Sequence, residues 1–322
     1  MVESSLGNVG NMTTTNEGIE LGPTRNESEA ARAYTETWCE RGEIEYIVLS
    51  GGTRVRYLRV GKGPSLVLVH TLRTQLDHFQ LLVPQIADAF TVYAVDFPGM
   101  GWSDIVPGAS YEEPALRAAI VRVVEQLDLS NVTLAGESMG ATLALTASVE
   151  LGERVRRVVA FNTYDFADGL KRASPFARLV VASIEAPVVG PTIARLENRY
   201  ILRGVLRGGL RDPRDLPDHY LAELRRVGRR PGYPAVARAI YRNLKSLIAA
   251  RHRYAQISVP VTLVYGDHDW SRPSDRQANI ESIPGARYIL LRDTGHFIAL
   301  EAPHEVARIL RDDSPERTGP SE

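Results

Sequence analysis

VTLAGESMGATLALTASV, residues 132–149, is the stretch that decides the fold. It opens with an apolar, β-branched run typical of a buried strand, and from Ala141 its apolar residues follow helical spacing. Between the two lies Gly136-Glu137-Ser138-Met139-Gly140, which matches Gly-x-Ser-x-Gly. In this motif a serine occupies a sharp strand-to-helix turn, and the flanking glycines let strand and helix pass closely. The stretch therefore predicts a nucleophile at Ser138.

Short, continuously apolar runs recur on both sides of this stretch, as expected for strands buried on both faces of a parallel sheet. Helix-length segments such as Leu116–Leu127 separate most of them. This alternation predicts a mostly parallel, doubly wound α/β sheet. Upstream, residues 45–49 and 54–60 alternate around Gly51-Gly52 and predict an antiparallel hairpin at one edge. The predicted buried strands cover residues 66–69, 91–95, 132–135, 158–161, 261–265 and 288–291.

About 100 residues separate the fourth and fifth buried strands, which is too many for a crossover helix alone. We therefore expect an inserted helical lid at 167–235, followed by a return helix. The lid divides a core formed by 43–166 and 236–313. The polar, aperiodic ends, 1–42 and 314–322, are expected to be flexible.

The composition limits the function classes. The chain has 322 residues and a net charge of −1, so no overall attraction to nucleic acid is expected. No secretory leader or membrane-spanning apolar run is visible, so we expect a cytoplasmic protein without stable membrane insertion. The segment from Lys171 to Arg230 is basic, with 13 basic and 6 acidic residues. Such charge runs are usually solvated helix faces, and an anionic substrate or a lipid surface is the alternative.

A serine hydroxyl needs a histidine to accept its proton and a carboxylate to orient that histidine. Gly-x-Ser-x-Gly arises by chance in roughly one chain in ten of this length, so these partners decide its meaning. His296, in a loop after the last predicted strand, is the expected base, and His268 is the alternative. Asp269 is the expected acid. Asp267 and Asp165 remain rivals because the carboxyl ends of neighbouring strands lie close together.

These motifs resemble those of the α/β-hydrolase fold family. The resemblance includes His70 at the end of the first buried strand and the Asp96–Asp104 loop, and it extends over residues 43–313. It implies the α/β-hydrolase fold with an inserted helical lid, and a reaction that requires neither a metal nor an organic cofactor. It also implies an oxyanion hole formed by the backbone N–H groups of Met139 and Leu72.

One position departs from the family pattern. Relatives usually have glycine after the histidine of the oxyanion loop, whereas this chain has Thr71, which is stiffer. Arg73, two residues on, is a candidate ligand for a substrate carboxylate, and a solvent-facing arginine is the alternative. The departure therefore bears directly on the second expected oxyanion donor, Leu72.

The expected reaction is hydrolysis of a carboxylic ester or lactone through an acyl-enzyme. Relatives that open epoxides or displace halide carry aspartate at the elbow, so Ser138 argues against both reactions. Carbon–carbon bond hydrolysis and a non-catalytic ligand-binding role are the alternatives. The expected partner is a small apolar or anionic molecule. Four side chains are candidates either for an apolar pocket or simply for the core of the lid: Phe176, Ile184, Tyr200 and Tyr220.

Overall fold

A computed structural model describes residues 12–15, 18–49, 51–196 and 199–312. The expected tail at 314–322 and the first eleven residues lie outside these ranges. The chain forms ten described strands: β1 (Met12–Thr15), β2 (Gly18–Leu21), β3 (Glu43–Val48), β4 (Arg54–Val60), β5 (Ser65–Val69), β6 (Thr91–Val95), β7 (Val132–Glu137), β8 (Val155–Phe161), β9 (Val261–Gly266) and β10 (Arg287–Leu291).

Twelve α-helices are described between and after these strands. They are α1 (Arg25–Glu36), α2 (Glu113–Gln126), α3 (Met139–Leu151), α4 (Gly169–Ala173), α5 (Pro175–Glu185), α6 (Gly190–Arg195), α7 (Arg199–Arg207), α8 (Asp218–Gly228), α9 (Tyr233–Ala249), α10 (Pro273–Ser282), α11 (Ile298–Glu301) and α12 (Pro303–Arg311). Among the described residues, no helix is long and apolar enough to cross a bilayer.

The centre of the molecule is an eight-stranded sheet in the order β10-β9-β8-β7-β5-β6-β4-β3. Neighbouring strands pair in parallel along the six-strand part of the sheet formed by β6, β5, β7, β8, β9 and β10. Strand β4 runs antiparallel to both β3 and β6. The predicted α/β-hydrolase sheet, its parallel strands and its edge hairpin are thus confirmed. Because the strands are parallel, the loops that leave β7, β8, β9 and β10 meet at one edge.

Helices cover both faces of this sheet. Side chains alternate along each strand, so Val67 and Val69 join one hydrophobic core while Leu66 and Leu68 join the other. The first core also contains α2, α3 and α9, and the second contains α12. The central strands β5, β6, β7 and β9 are buried on both faces and are therefore largely apolar, without the polar alternation of the edge hairpin.

Helix α1 departs from the expectation of a flexible extension over 1–42. Thr24 and Glu27 form a capping box at its start. Its inward face carries Ala31 and Thr35, and the Thr35 hydroxyl donates to the buried Asp77 carboxylate at 2.8 Å. The expectation was wrong for this helix because its buried residues are small or polar, which leaves little apolar periodicity to detect.

Helices α4–α8, here called the helical insertion (residues 169–228), occupy the long gap between β8 and α9. The return helix α9 begins at Tyr233, slightly earlier than expected, and a 3₁₀ segment, Ala250–Gln256, continues it. The insertion lies over the edge of the sheet where the loops after β7 to β10 meet. There its residue Gly209 accepts a hydrogen bond from the His296 backbone N–H.

Candidate active site

Ser138 occupies the tight turn between β7 and α3 and is fully buried. Its backbone is in a left-handed region (φ 58°, ψ −116°), which costs on the order of 1–3 kcal/mol for a non-glycine residue. The flanking glycines make this turn possible. A Cβ at Gly136 would lie 2.3 Å from the Gly140 oxygen, and one at Gly140 would lie 2.2 Å from the Val69 oxygen.

The Ser138 hydroxyl begins a continuous hydrogen-bonded chain. Its Oγ lies 2.8 Å from His296 Nε2, and His296 Nδ1 lies 2.5 Å from Asp269 Oδ1. Since the Asp269 carboxylate can only accept, Nδ1 carries the ring proton and Nε2 is left to accept from serine. All three side chains are buried. The structure thus brings together the three residues expected to carry the chemistry.

The environment of Asp269 keeps its carboxylate ionised. Burial alone would raise the pKa of this group, but the adjacent His296 and the hydrogen bonds from His296 and Ser271 outweigh burial and hold the pKa below its ordinary value. The Ser271 backbone N–H and hydroxyl both donate to Asp269 Oδ2. The carboxylate therefore offers one oxygen to the histidine and has the other fixed.

The rival residues take other roles. Asp165 accepts hydrogen bonds from the Tyr254 hydroxyl at 2.6 Å and from Asn279 Nδ2, and burial raises its pKa. Asp267 accepts from the Thr294 backbone at 3.2 Å and so fixes a turn. The His268 side chain is about half exposed, and its Nε2 lies 3.9 Å from the Asp267 carboxylate. Neither aspartate replaces Asp269 beside His296.

The Trp270 ring packs against the face of the His296 imidazole, a contact that the sequence did not suggest. Its ring stacks on His296 with centroids 3.6 Å apart and planes 13° apart. Its indole N–H donates to the Gly208 oxygen of the helical insertion at 3.1 Å. Trp270, the residue next to Asp269, therefore contacts both the His296 imidazole and the insertion.

Asn162, at the end of β8, fixes the loop that carries His296. Its Nδ2 donates to the carbonyl oxygens of Gly295 and His296, at 2.8 and 2.9 Å. Its Oδ1 accepts from the Gly266 backbone at 2.9 Å. One side-chain amide therefore ties together the loops after β8, β9 and β10.

Two carboxylates, the buried Glu137 and the partly buried Glu301, complete the support of this loop. Glu137, beside the nucleophile, contacts His78 Nε2 at 2.6 Å and accepts from the Ala299 backbone at 2.8 Å. Glu301 accepts from the Gly295 backbone and, at 2.9 Å, from the Arg211 backbone of the insertion. Burial raises the pKa of Glu301 to about 7. The histidine loop is thus tied both to the elbow and to the insertion.

The oxyanion loop is fixed without a glycine. Positive φ in this loop falls on Arg73 (φ 61°) rather than on Thr71. The Thr71 oxygen accepts from the Thr74 backbone and hydroxyl, and from His70 Nδ1 at 2.8 Å. Burial lowers the pKa of His70 to about 4, so its ring is neutral, and Nε2 accepts from the Phe97 backbone. Threonine is accommodated because its carbonyl is anchored and its φ is ordinary.

The N–H groups of Leu72 and Met139 fit the requirement for oxyanion donors. Within the described part of the chain, neither backbone N–H donates a hydrogen bond to another protein group. Both residues are buried beside the elbow and its facing loop. These two N–H groups are therefore the candidate donors to a ligand oxygen, Leu72 from the lining of the cavity at His296 and Met139 from the residue after Ser138.

The profile of the alpha/beta hydrolase fold family matches residues 64–303, about three quarters of the sequence. The chain belongs to this family. This α/β hydrolase is 24% identical to 2-hydroxy-6-oxo-2,4-heptadienoate hydrolase of Pseudomonas putida over 285 residues, which cover 84% of this chain and 96% of the relative. It is 26% identical to haloalkane dehalogenase 2 of Mycobacterium tuberculosis over 269 residues, covering 80% and 90% of the two chains.

Solved structures agree on the fold. Cfl2 from Burkholderia cenocepacia superposes with a TM-score of 0.73 at 24% identity, covering 84% of this chain and 94% of that chain. The two sequence relatives carry different reactions in their names. Membership therefore establishes a hydrolase fold and leaves the bond that is cleaved to be argued from the site.

The cavity of this α/β hydrolase at His296 is small and mostly apolar. Its volume is about 20 Å³, room for roughly one water molecule. The four side chains considered for its lining do not contribute to it: Ile184 and Tyr220 are buried elsewhere, and Phe176 and Tyr200 are exposed. The cavity is lined instead by Thr71, Leu72, Arg73, Leu170, Leu202, Val205, Leu206, Tyr241, Trp270, His296 and Phe297.

Arg73 is buried rather than solvent-facing, with 5% of its surface exposed. Its guanidinium lies 5.0 Å from the centre of the ring of Tyr233, which is the first residue of α9. Its placement at the cavity depends on a left-handed backbone that no sequence pattern indicated. The lining residues from α7 could not be identified from sequence either, because the packing of the insertion decides which face turns inward.

Proposed function

We propose that this α/β hydrolase cleaves a carboxylic ester or lactone by nucleophilic attack of Ser138. The observation that carries the proposal is the unbroken chain of 2.8 and 2.5 Å contacts from Ser138 through His296 to Asp269. A neutral imidazole that accepts at Nε2 is the base a serine hydroxyl requires.

In the first step, His296 Nε2 takes the Ser138 proton as Oγ bonds to the substrate carbonyl carbon. The carbonyl oxygen becomes negative and accepts from the N–H groups of Met139 and Leu72. The intermediate collapses to an acyl-enzyme when the imidazolium gives its proton to the departing alkoxide. A water molecule then repeats the sequence: His296 takes its proton, hydroxide adds to the acyl carbon, and Ser138 leaves with the proton returned.

The apolar cavity favours a substrate with an apolar acyl or alcohol group, because Leu202, Val205 and Leu206 of α7 would contact it. A volume of about 20 Å³ does not admit such a group, so we infer that α7 moves outward as substrate enters. In this proposal the helical insertion acts as a lid. Its links to Glu301 and Trp270 make the position of His296 sensitive to that motion.

Dehalogenation is disfavoured although a relative carries that name, since formation of an alkyl-enzyme needs a carboxylate where this chain has Ser138. Carbon–carbon bond hydrolysis is the second candidate. It is favoured by the 24% identity, over nearly the whole relative, to a hydrolase of 2-hydroxy-6-oxo-2,4-heptadienoate. The same serine and histidine would act after proton transfer within the substrate.

The test is a panel of p-nitrophenyl esters of increasing acyl length, lactones and a 2-hydroxy-6-oxo-dienoate, with products identified by mass spectrometry. We expect ester or lactone turnover that Ser138→Ala abolishes while the thermal unfolding profile is retained. Ser148→Ala, a change of another buried serine on α3, is the matched control and should keep turnover. Turnover of the dienoate alone would replace the ester assignment by the second candidate.

A further inference from the structure

A second cleft lies on the helical insertion and shares no lining residue with the catalytic cavity. It has a volume of about 410 Å³ and opens between the end of α6, the end of α8 and the start of α9. Four of its ten lining residues are arginines: Arg195, Arg225, Arg229 and Arg230. Four of the thirteen basic residues between Lys171 and Arg230 therefore line one concave surface.

Three of these arginines differ from the fourth in their contacts. Within the described ranges, the side chains of Arg195, Arg225 and Arg229 form neither an ion pair nor a hydrogen bond. Arg230 differs, because its guanidinium donates to the Gly101 oxygen at 2.5 Å and lies beside the Trp102 ring. Arg230 therefore anchors the α8–α9 turn to the core, and the other three are left to the cleft.

Several basic side chains of the insertion outside the cleft are paired with acidic residues. Lys171 pairs with Glu185 at 2.9 Å, Arg203 with Asp218 at 2.9 Å, and Arg226 with Glu223 at 2.7 Å. These acidic residues are therefore committed to other partners, and none of them lines the cleft. Simple solvation of a charged helix face does not account for three unpaired arginines that converge from α6 and α8 on one concavity.

The helix dipoles do not decide the sign of the electrostatic potential in the cleft. The N-terminus of α9, at Gly232 and Pro234, contributes partial positive charge, and the C-terminus of α8, at Gly228, contributes partial negative charge. These contributions oppose each other. The three guanidinium groups, which stay charged at all relevant pH values, therefore make the cleft electropositive.

We propose that Arg195, Arg225 and Arg229 form a binding site for a multiply charged oxyanion of the phosphate-ester class. Guanidinium groups bind such oxyanions through paired, charge-assisted N–H donors. The site goes beyond the proposed ester hydrolysis and does not depend on it. The phosphate can belong to a soluble compound or to the headgroup of an anionic lipid, and the chemistry of recognition is shared.

The first experiment titrates the full chain with inorganic pyrophosphate by isothermal calorimetry, in chloride buffer of constant ionic strength. Saturable binding tighter than ~1 mM is expected, and Arg225→Gln/Arg229→Gln should weaken it at least about tenfold. Arg214→Gln is the matched control, since this exposed arginine of the insertion pairs with Asp212 outside the cleft, and it should leave binding unchanged.

Thermal unfolding checks that the variants are folded. If the double variant does not fold, Arg195→Gln on α6 carries the same test. Flotation with phosphatidylglycerol vesicles, compared with phosphatidylcholine vesicles, identifies the source of the phosphate. Flotation that the double variant loses assigns a lipid headgroup, and pyrophosphate binding without flotation assigns a soluble phosphate ester. Absence of both, or equal binding by wild type and double variant, would overturn the proposal.

Discussion

Replacing Asp269 by asparagine tests most sharply whether Asp269 fixes the tautomer of His296 and stabilises its imidazolium. Asp269 Oδ1 lies 2.5 Å from His296 Nδ1 in a buried setting. An asparagine that turns its amide N–H toward Nδ1 forces the ring proton onto Nε2, which can then no longer accept from Ser138. The substitution also removes the negative charge that stabilises the imidazolium.

The magnitude follows from the geometry. At 2.5 Å and an effective dielectric constant of about 20, opposite unit charges attract by about 7 kcal/mol, which is the upper limit of the loss. We expect kcat to fall roughly 10⁴-fold, equivalent to about 5 kcal/mol, with little change in KM.

The assay is steady-state hydrolysis of a p-nitrophenyl ester, with Asp165→Asn as the matched control. Asp165 is equally buried but bonds to Tyr254 and Asn279, so its loss should lower thermal stability by about 1 kcal/mol and leave kcat near wild type. Equal losses of kcat in the two variants, or an Asp269→Asn enzyme that retains most of its activity, would refute the role assigned to Asp269.

Three further predictions concern the groups around the catalytic residues. Trp270→Ala removes the ring stacked 3.6 Å from His296 and should lower kcat about tenfold, whereas Trp270→Phe should keep most activity; unchanged kinetics in the alanine variant would contradict a stacking role. Burial raises the pKa of Glu301 from 4.5 to about 7, so the folded state retains a proton that the unfolded state releases, and the free energy of unfolding should fall as pH rises between these values. Urea unfolding at about pH 5 and about pH 7.5 should show a smaller fall in Glu301→Gln, and an identical fall would argue against this titration. Thr71→Gly should destabilise the protein by about 0.5–1 kcal/mol without raising kcat, because Thr71 has no positive φ to relieve; faster turnover would mean that threonine strains the loop.

Sequence reasoning identified the sheet because its strands are buried on both faces and therefore read as continuous apolar runs. It also placed Ser138, His296 and Asp269 at strand ends, which the topology then brings together. Sequence reasoning chose Asp269 as the acid but kept Asp267 and Asp165 as rivals, since all three follow strands and only their distances from His296 separate them. Helix α1 escaped prediction because small and polar residues fill its buried face.

The supporting residues lay beyond sequence reasoning for a different reason. Asn162 contacts backbone groups that are 104 to 134 positions away in the sequence. Glu301 contacts backbone groups that are 6 and 90 positions away. Almost every residue carries the same backbone N–H and carbonyl groups, so no pattern of residue types in the sequence identifies these partners. Which face of α7 lines the cavity is likewise decided by packing of the insertion against the core, as the exposed Tyr200 of α7 illustrates.

The measurement that tests the central claim most directly is covalent labelling with a p-nitrophenyl alkylphosphonate, followed by intact mass and peptide mapping. The hydrogen-bonded chain from Ser138 to Asp269 predicts one adduct per chain, located on Ser138, with ester turnover lost in proportion to labelling. Ser138→Ala should take up no label and show no turnover. Stoichiometric labelling at another residue, or ester turnover that survives in Ser138→Ala, would contradict the assignment of Ser138 as the nucleophile.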